Sequence, residues 1–153
     1  MKGPRLVVRA LIVENDRLLC DRSPAQWMLY GGRIEKGETA RRALSRELDE
    51  ELGLRLDIGP LAYQIENFFV DKEDRRVHEF GLYYLLRPAT SLSSLQPRQS
   101  GRDPTWVAIA ELERSPLVPT ILRTRLAADL AKGLSPVPIQ LTSIDRVAFP
   151  EVL

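Results

Sequence analysis

The spacing of apolar positions changes along the chain, and each change predicts an element. Residues 5–13 are dense in Val, Leu and Ile and predict a strand, and residues 17–22 predict a second. Glu14-Asn15-Asp16 between them is turn chemistry, so the pair reads as a hairpin. From Thr39 to Leu52 the period becomes helical, with Ala40, Ala43, Leu44, Leu48 and Leu52 on one stripe. Thr39 is the capping candidate and Gly53 the stop signal.

Residues 56–70 and 77–87 predict two further strands, joined by the mixed-sign run Asp71 to Arg76 as a solvated hairpin tip. Residues 88–104 form a polar connection whose length marks a mobile or functional loop. Trp106-Val107 reads as a short strand and residues 109–114 as a short helical piece. Residues 118–132 read as a second helix, with Ile121, Leu122, Leu126 and Leu130 on its apolar face and Gly133 at its end. The order strands, helix, strands, helix predicts an α/β or α+β fold, a mixed sheet with helices packed on it. Residues 1–133 are expected to form the domain. Residues 134–153, with Pro136, Pro138 and Pro150, are expected to pack on it or on a partner subunit.

Composition narrows the function more than the fold. The 153 residues suit one domain with a real core. Lys plus Arg total 22 against 21 Asp plus Glu, a net charge of +1, which is no footprint for gripping long nucleic acid. A small anionic substrate stays compatible, because a site can be charged when the total is not. The single cysteine, Cys20, excludes an internal disulfide and is expected to be buried and inert in a reducing cytoplasm. The N-terminal run is too short and too charged for a signal peptide or membrane span.

The candidate chemistry lies on the first helix. Glu47, Glu50 and Glu51 fall at i, i+3 and i+4, on a side expected to lie roughly opposite the apolar stripe. Like charges so spaced destabilise a helix by a few tenths of a kcal/mol per pair. Arg46, four residues before Glu50, offsets only part of that. Gly31-Gly32 frees the backbone just ahead of the helix, and Glu35 and Glu38 add carboxylates in the connection. Oxygen-only donors suit Mg²⁺ or Mn²⁺ rather than zinc, and the implied chemistry is metal-assisted attack by water on phosphorus.

Gly32, Glu38, Arg46-Glu47-Leu48, Glu50-Glu51, Gly53 and Leu54 match the Nudix box in full. Chance would supply that match on the order of 10⁻¹⁰ to 10⁻⁹ times per window at average residue frequencies. The chain therefore resembles the Nudix (MutT-like) hydrolases, from about residue 5 to residue 130. The resemblance implies an α/β/α sandwich and Mg²⁺-dependent hydrolysis (Mn²⁺ as substitute) of a nucleoside diphosphate linked to a further group. It implies that Glu47, Glu50 and Glu51 are metal ligands, with the carbonyl oxygen of Gly31. Glu47 is alternatively the group that orients or deprotonates the attacking water. Arg46 would hold a glutamate in place, and Glu38 would support the helix.

The family also uses a further carboxylate at variable positions, for which Glu79 is the first candidate and Asp103 the second. Trp27, Tyr30 and Gly32 are candidates for the substrate pocket; many relatives have proline where Tyr30 stands. His78 is expected to make a structural hydrogen bond. Val70 and Lys72 stand where ADP-ribose hydrolases carry a proline and dinucleoside polyphosphate hydrolases a tyrosine. That leaves nucleoside triphosphates as the favoured substrates, ahead of ADP-ribose or other nucleotide sugars. The reading from another class is a non-catalytic nucleotide-sensing module. A homodimer is compatible with all of these.

Overall fold

One strand feeds both hydrophobic cores. In the computed structural model, which describes residues 3–134 and 136–152, β1 spans Arg5–Glu14; the charged start Met1-Lys2 lies outside the described residues. Val8, Ala10 and Ile12 point to one face and Leu11 and Val13 to the other, as the two-residue repeat of a strand requires. Asn15 and Asp16 then adopt φ of 50° and 55°, the left-handed pair that a tight hairpin turn needs. The chain returns as β2 (Arg17–Arg22), with Glu14 opposite Arg17.

β3 (Trp27–Met28) pairs with β2, and β4 (Gly31–Arg33) returns antiparallel to β1, placing Gly31 opposite Arg9 and Gly32 opposite Val8. After the first helix come β5 (Leu61–Val70) and β6 (Arg76–Leu86), an antiparallel pair. β6 lies parallel to β1, with Arg5 opposite Glu79 and Arg9 opposite Tyr83. β7 (Pro104–Ala108) pairs with β2, and β8 (Ile139–Ile144) runs parallel to β5 at the sheet edge. The sheet is mixed, in the order β3-β2-β1-β6-β5-β8, with β4 on β1 and β7 on β2.

α1 (Ala40–Leu52) covers one face and α2 (Ile121–Ala131) the other, giving the α/β/α sandwich. Thr39 caps α1 by accepting the Arg42 N–H, and Gly53 ends it at φ 64°, where a left-handed residue is required. Leu44, Leu48 and Leu52 pack with Val8, Ala10 and Ile12, each leucine contributing about 1.5–3 kcal/mol by leaving water. Leu122 and Leu126 of α2 pack with Leu11, Ile65 and Tyr83. The Tyr63 hydroxyl donates to Asp129 Oδ2 at 2.8 Å, and Arg125 pairs with the same carboxylate, tying α2 to the sheet.

Two boundaries differ from the pattern-based expectation. The strand expected from residue 56 begins at Leu61: Gly59-Pro60 packs tightly on β6, where the Pro60 carbonyl accepts the Leu85 N–H. The helix expected from residue 118 begins at Ile121, because the backbone of residues 116–118 bonds to Trp27. Within residues 134–153, the alternating Ile139 and Leu141 belong to a strand. Among the described residues no helix is long and apolar enough to cross a membrane.

Candidate active site

The two glycines before α1 serve different ends. Gly31 has φ 139°, and a Cβ there would stand 2.1 Å from the Val8 carbonyl oxygen, so only glycine lets β4 close on β1. A Cβ on Gly32 would instead stand 2.2 Å from Glu47 Oε1. The second glycine makes room for a carboxylate.

That carboxylate is held by Arg46. Its Nη1 donates to Glu47 Oε1 at 2.9 Å, while Nη2 and Nε reach the two oxygens of Glu38 at 2.6 and 3.2 Å. Nη2 also donates to the Arg33 carbonyl at 3.1 Å, so one planar guanidinium joins helix, connection and β4. The Arg46 hydrogen bonds hold the Glu38 carboxyl below the usual carboxylate range, and Glu38 in turn raises the Arg46 guanidinium. The expected Arg46–Glu50 pair is secondary: the groups are 3.6 Å apart and Glu50 stays exposed.

Glu51 corrects the expectation of three glutamates facing away from the core. It is 2% exposed, within the buried face of the helix that Ala43, Leu44, Leu48 and Leu52 form. The Gly31 N–H donates to its Oε1 at 3.3 Å, and its Oε2 has no hydrogen-bond partner. Arg102 Nη2 stands 3.2 Å from Oε2, close enough for ion pairing but outside hydrogen-bond geometry. Burial pushes the Glu51 carboxyl up to about 7, against the opposing pull of Arg102.

Arg102 is the residue that sequence reasoning missed. It arrives from the long loop and pairs with Asp21 Oδ2 at 2.8 Å as well as facing Glu51. The same loop sends the Arg98 and Gln99 N–H groups to the Glu51 carbonyl at 2.9 and 3.0 Å, and Arg98 Nη1 to Asp49 Oδ1 at 2.8 Å. The connection is thus strapped over the C-terminal end of α1. A loop of that length was the one available signal; nothing in the pattern selected Arg102 within it.

The other candidates fall in separate places. Glu79 is buried on β6 and lines a cavity of about 410 Å³ with Arg9, Asn67, Phe68 and Tyr83. Arg9 links that cavity to the helix, since it is paired in register with Gly31 and its charge is felt at Glu51. Tyr30, a candidate for the pocket wall, is instead 1% exposed in the core beneath α1, its hydroxyl directed at Asp21. Trp27 packs on the α2 side of the sheet. Asp103 is exposed, with its N–H on Asp21. His78 bonds Glu66 at 2.7 Å and stacks on Phe68, the structural role expected. Cys20 is buried, and burial pushes its thiol up to about 12.

Among the described residues, no three Asp, Glu, His or Cys side chains are drawn into one ion-holding cluster as they stand; Glu47 is turned onto Arg46. The donors nevertheless suit a hard dication in kind: carboxylate oxygens without sulfur or imidazole, one of them buried and lacking a hydrogen bond.

Comparison with known proteins identifies the family. The NUDIX domain model matches residues 3–126. Nucleoside triphosphatase NudI of Salmonella paratyphi B is 33% identical over 113 residues, covering 66% of this chain and 80% of that protein. The putative mutator protein MutT4 of Mycobacterium tuberculosis is 37% identical over 111 residues, 72% of this chain and 42% of that one. A MutT NUDIX hydrolase from Burkholderia pseudomallei superposes with a TM-score of 0.62 at 27% identity, over 80% of this chain and 96% of that structure. The chain belongs to the NUDIX domain family and is a Nudix hydrolase. Enzymes of this class act with a divalent cation on small nucleotides.

Proposed function

We propose that this protein is a Mg²⁺-dependent pyrophosphohydrolase of nucleoside diphosphates linked to a further group, with nucleoside triphosphates as its preferred substrates. The observation that carries the reading is the Glu51 carboxylate: buried, hydrogen-bonded on one oxygen only, and carried by the same helix as Glu47 and Glu50. Glu47, Glu50, Glu51 and the Gly31 carbonyl would hold the ion, with Glu79 as a further ligand or base. When bound, such an ion would supply positive charge beside the phosphate oxygens and lower the pKa of a water.

The chain's own groups do the rest. Arg46 fixes Glu47 through a charged hydrogen bond, which leaves the second Glu47 oxygen to orient or deprotonate the attacking water. Glu38 holds Arg46 from the far side. The cavity behind Arg9 is of a size typical of small-molecule sites, and Phe68 and Asn67 offer it an apolar wall and an amide for a nucleoside. Preference for triphosphates over nucleotide sugars is supported by the NudI relatives.

The test is a substrate panel with Mg²⁺ and with Mn²⁺, resolving whether phosphate, pyrophosphate or a nucleoside monophosphate is released. We expect pyrophosphate from triphosphates, abolished by EDTA and in both Glu50→Gln and Glu51→Gln. Binding without turnover across the whole panel would instead mark a sensing module, and preference for the 5′ end of RNA would overturn the substrate assignment.

A further inference from the structure

We infer that Arg102 is a displaceable stand-in for the divalent cation at Glu51, so that metal entry and the grip of the Arg87–Asp103 loop exclude one another. The inference rests on the reading of Glu51 as a metal ligand.

The loop holds Glu51 at both ends. Its carbonyl takes the Arg98 and Gln99 N–H groups, and its carboxylate faces the Arg102 guanidinium at 3.2 Å. The two contacts of Arg102 are unlike. Nη1 makes a hydrogen bond to Asp21 Oδ2 at 2.8 Å, whereas Nη2 faces Glu51 Oε2 at 3.2 Å without being seated on it. Asp21 is therefore the tether, and Glu51 is the contact that can be given up.

An ionised carboxylate this deeply buried requires a cation beside it. Arg102 supplies that charge when nothing else does. A dication held at Oε2 would put a second positive charge beside the guanidinium that already faces that oxygen, and two cations so close repel. The Arg102 side chain is one-third exposed, so it has solvent to move into while it keeps Asp21. Because binding couplings are reciprocal, whatever Arg102 does to metal affinity, the metal does to the loop.

The experiment uses the full chain without substrate. Mn²⁺ binding, followed by the electron paramagnetic resonance of the free ion, is compared for wild type, Arg102→Gln and Glu51→Gln. If the Arg102–Glu51 contact is made in most molecules, its loss tightens Mn²⁺ binding about five- to tenfold. In parallel, amide exchange of the loop segment around Arg98 to Asp103 is measured by mass spectrometry with and without Mg²⁺. Exchange should accelerate with Mg²⁺ in wild type and be insensitive to it in Arg102→Gln. The wild-type exchange alone decides the matter should Arg102→Gln fail to fold.

Equal or weaker Mn²⁺ binding in folded Arg102→Gln, or wild-type loop exchange indifferent to Mg²⁺, overturns the inference. The failure of the metal reading looks different: Glu51→Gln would then bind Mn²⁺ as wild type does. Loss of Mn²⁺ in Glu51→Gln together with unchanged affinity in Arg102→Gln would sink this inference and leave that reading standing.

Discussion

The Glu47 carboxylate occupies the space that any side chain on residue 32 would fill: a Cβ at Gly32 falls 2.2 Å from its Oε1. Because the obstacle is the far end of a flexible side chain, Gly32→Ala should fold and push Glu47 off its Arg46 contact. We expect hydrolysis to fall by about a hundredfold, the usual result of misplacing a catalytic group by about an ångström. Its melting temperature should change little. Gly31→Ala is the opposite case, since its obstacle is the Val8 backbone and its φ is 139°. That variant should lose several kcal/mol, on the order seen when strain meets a fixed neighbour. Melting curves and kcat for the pair separate the two; a fully active Gly32→Ala would contradict the placement of Glu47.

The difference between these glycines was only half legible in the sequence. Their adjacency ahead of a helix announced an unusual turn, but which one faced backbone and which a carboxylate depends on the β1–β4 register. Local signals served well elsewhere: Thr39 and Gly53 bound α1 as expected because capping acts within a few residues. Arg102 was illegible for the opposite reason. Its partners Asp21 and Glu51 stand on β2 and α1, far away in the chain, and a polar loop carries no period to rank one arginine above another. Glu51 is different again: the helical period itself puts it between Ala40 and Leu44, inside the stripe, so its burial was legible from spacing and the expectation of an opposite face misread that spacing.

Arg46→Lys tests the clamp. Lysine keeps the charge but loses the planar fork that spans Glu38, Glu47 and the Arg33 carbonyl. Activity should fall about ten- to a hundredfold, as for other groups that orient a metal's ligands. Glu38→Gln should do less, since it leaves Arg46 on Glu47. A larger loss in Glu38→Gln than in Arg46→Lys would reverse the order of support proposed for the two residues.

Tyr63→Phe is the control remote from α1. It removes the hydroxyl that donates to buried Asp129, leaving Arg125 as that carboxylate's partner. Urea unfolding should show a loss of about 1–3 kcal/mol, the cost of leaving one buried carboxylate oxygen without its Tyr63 donor. kcat should stay at the wild-type value. A drop in kcat without a drop in stability would mean that α2 is coupled to the site.

Glu51 also sets a pH dependence that runs against the habit of carboxylates. Burial raises it from 4.5 to about 7, so across that window the unfolded chain has released the proton while the native chain still holds it. The native state binds more protons there, so the Glu51 contribution to metal-free stability falls as pH rises from about 4.5 to 7, then levels off. The total is about 3 kcal/mol at most, from 1.36 kcal/mol per unit. Glutamine carries no such proton. The difference in unfolding free energy between Glu51→Gln and wild type, measured in EDTA from pH 5 to 8, should therefore grow in favour of the variant and then become constant. Metal binding requires the deprotonated carboxylate, so Mn²⁺ affinity of the wild type should climb over the same range. A wild-type stability that rises relative to Glu51→Gln between pH 5 and 7 would show that Arg102 outweighs burial, and that Glu51 is ionised throughout.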